Sequence, residues 1–295
     1  MSIGSYVLVG YDGTTESENA LRWGAREAGL RHLPLTVCHA WRWPFPISHI
    51  DIEGTAIVKR MGEHVLDHGV TLAERFAPGV KVSKRLLDGP AYAALMHLTE
   101  DAALVVIGSH EQDALPVGST ALRLPARARR PIVVVRGAES RYGDGEVVVG
   151  VDGSVGADAA LAFAFEEAAL RDRRLRAVYG CWEPTAAPDC DLSLFDDEDK
   201  LRRVCGARLE CQVAPWRVRY PQVDAWTSLL LKPPRQALFE AAENAALVVV
   251  GNRGLGGLEQ LCLGATSSAV LQHVPCAVAV VQPLCEPGQS DQRTG

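Results

Sequence analysis

Two aspartates and one glycine-rich run have the residue types and spacing that chemistry needs. Asp12 closes the run YVLVGYDG (Tyr6 to Gly13), and Asp152 closes EVVVGVDG (Glu146 to Gly153), 140 residues further on. Each is a short, β-branched apolar run of the kind buried on both faces of a sheet, stopping at Asp-Gly before small polar residues. A carboxylate there can meet a ligand or cap the N–H groups that open the next helix. The third feature is Val248 to Val281, VVVGNRGLGGLEQLCLGATSSAVLQHVPCAVAVV. It reads as strand, glycine-rich loop, helix, strand. Gly251, Gly254, Gly256 and Gly257 keep the loop free of bulk, so a ligand can approach its backbone, and Gly264 stands where the helix begins. N–H groups at a helix start, with the dipole behind them, favour an anion, which makes this stretch a candidate phosphate cradle. It is not a Walker loop, because Gly-Lys-Ser/Thr is missing and Arg253 is its only cation. It is not a dinucleotide fingerprint either, because the glycine spacing differs.

Other chemistry is thinner. His64 and His68 stand four apart on a predicted helix, but no third metal ligand accompanies them, and a solvated face is expected. Asp196 to Asp199 reads as an acidic helix start, and Arg127, Arg129 and Arg130 as a basic helix end. The eight cysteines contain no C-x-x-C pair, so no metal site and free thiols are expected. Cys38 and Cys276 lie inside apolar strand runs and read as core residues.

A chain of 295 residues suggests two domains. A net charge of -6 argues against a nucleic-acid surface. No apolar run approaches the ~20 residues that span a bilayer. The first residues lack the pattern of a secretion signal, so no membrane role and a cytoplasmic location are expected.

The elements that must position these residues repeat. Leu35 to Ala40 matches Leu175 to Cys181 as a second strand, each followed by Trp (Trp41, Trp182). Third strands near Lys81 to Leu87 and Val223 to Leu230, fourth strands ending at Gly108 and Gly251, and fifth strands from Ile132 and Cys276 follow in register. Helices near Ser17 to Arg31 and Ala157 to Arg171 carry small-residue faces, including Ala20, Trp23, Gly24, Glu27 and Ala28 in the first. Alternating strands and helices imply an α/β fold: a parallel sheet with helices on both faces, twice over. Ligands of such sheets sit beyond the carboxyl ends of the strands, where Asp152 and the Gly251 to Gly264 loop would meet.

On these motifs the chain resembles a tandem universal stress protein, over residues about 5 to 136 and 146 to 282. ATP-binding members of that family carry the early strand-end Asp and the pattern G-2x-G-9x-G-(S/T). Gly251, Gly254 and Gly264 reproduce the glycines at that spacing; Ala265 departs from it, with Thr266 and Ser267 next. The resemblance implies two five-stranded domains of strand order 3-2-1-4-5, adenine nucleotide alpha hydrolase-like, at residues 1–140 and 144–284; the polar composition of 285–295 predicts a disordered tail. It implies ATP, with Mg²⁺ as a companion ion, bound in the second domain. Asp152 and Gly153 would meet the nucleoside end, and the backbone at Gly180 and Cys181 would help read adenine. Gly251, Arg253, Gly254, Gly264, Ala265 and Thr266 would hold the phosphates. It also implies pairing of the two domains through their fifth strands, and homodimers as a further level.

Asp12, Gly108, Gly118, Ser119 and Thr120 are the weaker first-repeat equivalents. Their loop, GSHEQDALPVG, spans ten positions where the second spans thirteen. It puts Glu111 in the place of Gly254, adds Asp113, and loses an N–H donor at Pro116. One ATP per chain is therefore expected, in the second repeat. With no Ser/His/Asp set, motif lysine or water-orienting residue, regulation is expected rather than catalysis, and any ATP turnover should be slow. Two rivals stay open. An ATP-using enzyme, adenylating or phosphohydrolytic, would need a carboxylate pair for Mg²⁺, for which Glu259 stands alone. The other is an interaction protein that has lost the nucleotide.

Overall fold

The computed structural model describes residues 5–45, 51–109, 119–137, 145–181, 198–254 and 263–283. The Asp196–Asp197 acidic start, Trp182, Gly118, Glu111, Asp113, Pro116, Gly256, Gly257, Glu259 and the 285–295 tail lie outside them. In chain order the first repeat is β1 (Tyr6–Gly10), α1 (Thr15–Leu30), β2 (Leu35–Trp41), α2 (Ile52–Phe76), β3 (Val82–Asp88), α3 (Ala91–Leu98), β4 (Ala102–Gly108), α4 (Ser119–Arg127) and β5 (Ile132–Val135). The second is β6 (Glu146–Gly150), α5 (Val155–Arg171), β7 (Leu175–Gly180), α6 (Glu198–Arg219), β8 (Ala225–Leu230), α7 (Pro234–Ala242), β9 (Ala245–Gly251), α8 (Ala265–His273) and β10 (Ala277–Val281).

Each repeat keeps the order 3-2-1-4-5, but the two do not form separate sheets. All ten strands join in one, ordered β3-β2-β1-β4-β5-β10-β9-β6-β7-β8. Within a repeat the neighbours are parallel. At the centre β5 and β10 run antiparallel, with Val134 opposite Val278 and Ile132 opposite Val280. These strands are buried on both faces, Ile132 to Val134 and Ala277 to Val280 being fully covered. Left as edges, they would expose unpaired N–H and C=O groups along an apolar ribbon.

Alternation along the strands feeds two continuous cores, one on each face. Val7, Val9, Val147 and Val149 point toward α1, α2, α5 and α6. Leu8, Val148, Val248 and Val250 point toward α3, α4, α7 and α8. Small residues on α1 let it lie on the sheet: a Cβ added at Gly24 would strike Val9 Cγ2.

The repeats also meet through α1 and α5, in a buried clasp. Trp23 and Glu27 on α1, with Arg31 at its C-cap, match Phe163, Glu167 and Arg171 on α5, each 140 residues apart. Arg31 reaches Glu166 at 2.8 Å and Glu167 at 2.5 Å besides pairing with Glu27 on its own helix. Arg171 pairs with Glu167 at 2.9 Å and with Glu27 across the interface. Arg171 also lies 4.6 Å over the Trp23 ring, and Arg31 lies 5.7 Å over Phe163. Both glutamates are completely buried. Burial, then the Glu167 carboxylate, push Glu27 up to about 8 against the pull of Arg171 and Arg31. Burial opposes the charge on Glu167 too, but Arg171 and Arg31 outweigh it and hold that group low. Two carboxyls and two guanidiniums thus lie together out of water, where burial pushes Glu27 toward its protonated form and the guanidiniums hold Glu167 ionised.

Candidate functional site

The site is built where β6 and β9 end. After Val151 the chain turns at Gly153, φ +86°, which favours glycine. Ser154 then caps α5, its Oγ accepting the Ala157 N–H at 3.1 Å. Asp152 Oδ1 accepts the Ser154 N–H at 2.9 Å, an Asx-turn that fixes the carboxylate at the mouth of the helix. The other oxygen, Oδ2, faces the glycine loop: a Cβ added at Gly254 would land on it. Two motifs about a hundred residues apart in sequence thus come into direct contact.

Gly251 and Gly254 are in tight places, whereas a Cβ at Gly264 would come no nearer than 3.4 Å to its neighbours. A Cβ at Gly251 would sit 2.7 Å from the Gly156 carbonyl carbon, and one at Gly156 would sit 2.6 Å from the Arg253 carbonyl oxygen. The loop therefore leaves β9 by crossing directly over the first turn of α5. Gly264 closes it again: its N–H donates to Asn252 O at 2.8 Å, and the Asn252 N–H donates to Val281 O at 2.8 Å. Gly264 caps α8 without any side-chain capping bond, so Ala265 and Thr266 begin a helix whose first N–H groups have no side-chain cap. Ser267, one residue later and buried, donates its Oγ–H to Gly251 O at 2.6 Å and ties the helix start to the strand end. Arg253 is exposed at the rim.

Gly180 and Cys181 reach the same edge from β7. A Cβ at Gly180 would lie 2.6 Å from Pro234 Cα, so the strand end presses on the start of α7. Cys181 donates its N–H to Leu230 O at 2.9 Å, and its side chain points into the core. That N–H is thus committed to the sheet. A cavity of about 310 Å³ opens beside the Asp-Gly turn, lined by Gly153, Ser154, Asp158 and Gln212 among others. The described residues lining it include none of Gly251, Gly254 or Gly264, so it neighbours the Asp152–Gly254 contact without being the cradle.

In the first repeat Asp12 Oδ1 accepts from both the N–H and the hydroxyl of Thr14, at 3.0 and 2.6 Å. Gly108 ends β4 against the Glu16 carbonyl, and Ser119 and Thr120 open α4. His68 bonds the Tyr11 hydroxyl through Nδ1 at 2.9 Å. No group of three or more metal-ligating side chains occurs among the described residues. Ser154 and Gly156 were not anticipated, whereas Ser267, one of the two hydroxyl residues after Ala265 in the motif, spends its hydroxyl on the Gly251 carbonyl. Ser154 could have been found from its place beside Gly153, and Gly156 from being a glycine inside a first helical turn.

The sequence profile of the universal stress protein family matches twice, at residues 6–136 and 145–282. The chain belongs to the universal stress protein family. Among its relatives is the universal stress protein Rv2005c of Mycobacterium tuberculosis, 32% identical over 292 residues, covering 92% of this chain and 96% of that one. Another from that organism, Rv2623, is 30% identical over 291 residues, covering 94% and 96%. These universal stress proteins share the tandem arrangement. The crystal structure of a universal stress protein from Archaeoglobus fulgidus covers 95% of this chain and 99% of its own, with a TM-score of 0.70 at 18% identity, a likeness of fold. Among the described residues no helix is long and apolar enough to cross a membrane.

Proposed function

We propose that this universal stress protein binds one adenine nucleotide, ATP, at the strand-carboxyl edge of its second repeat, and works by regulation or partner choice rather than fast catalysis. In this reading residues 1–140 and 144–284 are the two units, held together in solution by the β5–β10 seam and the α1–α5 clasp. Asp152 takes the nucleoside end. The backbone of Gly251, Gly254, Gly264, Ala265 and Thr266 receives the phosphates, with Arg253 at the rim and Mg²⁺ as the companion ion. Thr266 supplies the hydroxyl that Ala265 lacks.

The observation that carries the reading is the seat of Gly254 on Asp152 Oδ2. It brings the two halves of the nucleotide motif into contact, beside a helix start whose N–H groups have no side-chain cap. Calorimetric titration with ATP, with cAMP as competitor, tests it. One site per chain is expected. Asp152→Ala should weaken it at least about tenfold, since a charge-assisted hydrogen bond is worth roughly 1.5–3 kcal/mol. Two sites per chain, or binding abolished by Asp12→Ala and untouched by Asp152→Ala, would assign the nucleotide to the wrong repeat.

A further inference from the structure

We propose that Cys181 and Cys205 are a modification site, in which a small peroxide converts two buried thiols into one intramolecular disulfide that ties the end of β7 to α6. The Sγ atoms lie 3.3 Å apart, one thiol donating to the other, and both cysteines are reduced. Cys181 directly follows the end of β7 and is fully buried, anchored through its N–H on Leu230 O. Cys205 sits on the buried stripe of α6 with Leu201, Leu209 and Val213. Each sulfur is thus carried by a backbone that is held in place, and a small rotation about a Cα–Cβ bond brings the two to bonding distance. The other described cysteines are elsewhere: Cys38 and Cys276 belong to the core on the opposite face of the sheet, and Cys211 is exposed.

The first repeat shows that packing alone does not require two thiols here. The residue matching Cys181 in strand position is Trp41, and it faces Gly62 on α2, where an added Cβ would lie 3.2 Å from Trp41 Cβ. A large side chain against a glycine fills that junction in one repeat, and two equal thiols fill it in the other.

The chemistry balances with hydrogen peroxide as the oxidant. The sulfur of one cysteine attacks a peroxide oxygen, the O–O bond breaks, and a sulfenic acid and one water result. The second sulfur attacks the sulfenic sulfur, the S–O bond breaks, and a second water leaves as the S–S bond forms. Two thiols give up two electrons and two protons, and one peroxide becomes two waters. Because the partner thiol is already in contact, the sulfenic acid is captured before further oxidation. Burial means that the step follows local opening of the strand end. The disulfide would pin the end of β7, the edge where the family resemblance implies adenine; that consequence rests on the nucleotide reading, whereas the crosslink does not.

The test treats the intact protein with hydrogen peroxide, blocks remaining thiols with an alkylating agent, digests without reductant and identifies linked peptides by mass spectrometry. Oxidation of Cys211 reports the dose. A crosslinked pair carrying residues 181 and 205, reversed by dithiothreitol and absent from Cys181→Ser and from Cys205→Ala, is expected. ATP titration before and after oxidation should differ for the native chain and agree for Cys205→Ala. A crosslink in a protein that binds no nucleotide in either state would uphold the thiol pair and refute the nucleotide reading. Oxidised Cys211 beside fully alkylatable Cys181 and Cys205, or disulfides only between chains, would overturn the proposal.

Discussion

At the amino end of α1, Gly13 turns at φ +85° and Thr14 caps the helix; at the amino end of α5, Gly153 turns at +86° and Ser154 caps it. Gly108 and Gly251 press on those helices in the same way, each with a Cβ position 2.7 Å from a first-turn carbonyl group. The scaffolds are near-copies. What differs is what each aspartate faces. Asp12 is exposed and takes both donors of Thr14, whereas Asp152 is half-buried and turns its second oxygen to Gly254. In sequence the first repeat sets Glu111 in Gly254's place within a loop three residues shorter. Duplicated framework with one divergent loop separates two kinds of constraint. Packing of helix on sheet is satisfied twice, whereas the sequence that follows the fourth strand diverges between the repeats.

The likeness of the two halves is most easily broken at the clasp. Removing one partner of a buried ion pair leaves an uncompensated charge, at roughly 3–5 kcal/mol. Arg171→Ala and Arg31→Ala should both lose about that much in denaturant unfolding, because each guanidinium serves both Glu27 and Glu167. The exposed pair Lys84–Asp67 is the control, and Lys84→Ala should cost less than about 1 kcal/mol. A clasp variant as mild as that control would mean that the repeats are held by the β5–β10 seam alone.

The same cluster gives a pH dependence whose sign is fixed. The folded value of Glu27 is raised to about 8, above the 4.5 of an unfolded glutamate. Its contribution is complete below about 4.5 and is lost as pH climbs through about 8, because the unfolded chain then holds fewer protons than the folded one. The facing groups are Glu167, Arg31 and Arg171, with Glu166 beside Arg31 at the margin. Denaturation midpoints measured near pH 6 and near pH 9 should fall with rising pH in the native protein, and the fall should shrink in Glu27→Gln. A midpoint whose fall over that interval was the same in Glu27→Gln would show that Glu27 is already ionised in the folded clasp.

These predictions concern features of unequal visibility in the sequence. The strands were legible because VVVG and AVAVV runs suit only a position buried on both faces, and the repeat of Asp-Gly at a spacing of 140 revealed the duplication. The clasp was not legible. Glu27 was placed on the small-residue face of its helix, but a buried charge declares itself only when its partners on another helix are known. The signal was available in the matched series Trp23, Glu27, Arg31 and Phe163, Glu167, Arg171. The Cys181–Cys205 contact was hidden for a similar reason, since two elements 24 residues apart bring it together. At the candidate site the glycines stand out by spacing alone, and the structure gives a packing reason for one of them. Gly251 is needed for the crossing of α5, before any ligand is considered.

Gly254 sharpens the comparison from the side of the loop. A valine there would drive its Cβ into Asp152 Oδ2 and branch over the backbone that the proposed nucleotide's phosphates would approach. Gly254→Val should lower ATP affinity at least about tenfold, roughly 1.4 kcal/mol or more, by titration. The repeat-1 loop offers the converse: Glu111→Gly alone should not create a second site, because the loop stays three residues short. Appearance of a second site in that variant would show that charge, not loop length, separates the halves.

The smallest expected difference is at the two turn glycines, and it tests whether the frameworks are as equal as they look. Gly13 and Gly153 share a positive φ within a degree of each other. Placing an L-residue in that region costs about 1–2 kcal/mol. Replacing glycine also removes freedom from the unfolded chain, which returns roughly 0.4–1 kcal/mol. Gly13→Ala and Gly153→Ala should therefore each destabilise by on the order of 1 kcal/mol in denaturant unfolding. The surroundings differ slightly: the new Cβ meets Val65 Cγ1 at 3.5 Å in the first repeat and Gln212 Nε2 at 2.8 Å in the second. The second contact is tight, but it is with the far end of a flexible side chain, which can move aside. Backbone strain thus decides both costs, and they should agree within a few tenths of a kcal/mol. A Gly153→Ala cost well above that of Gly13→Ala would mean that Gln212 is held in place, and that the second repeat is more rigid beside its aspartate than the first.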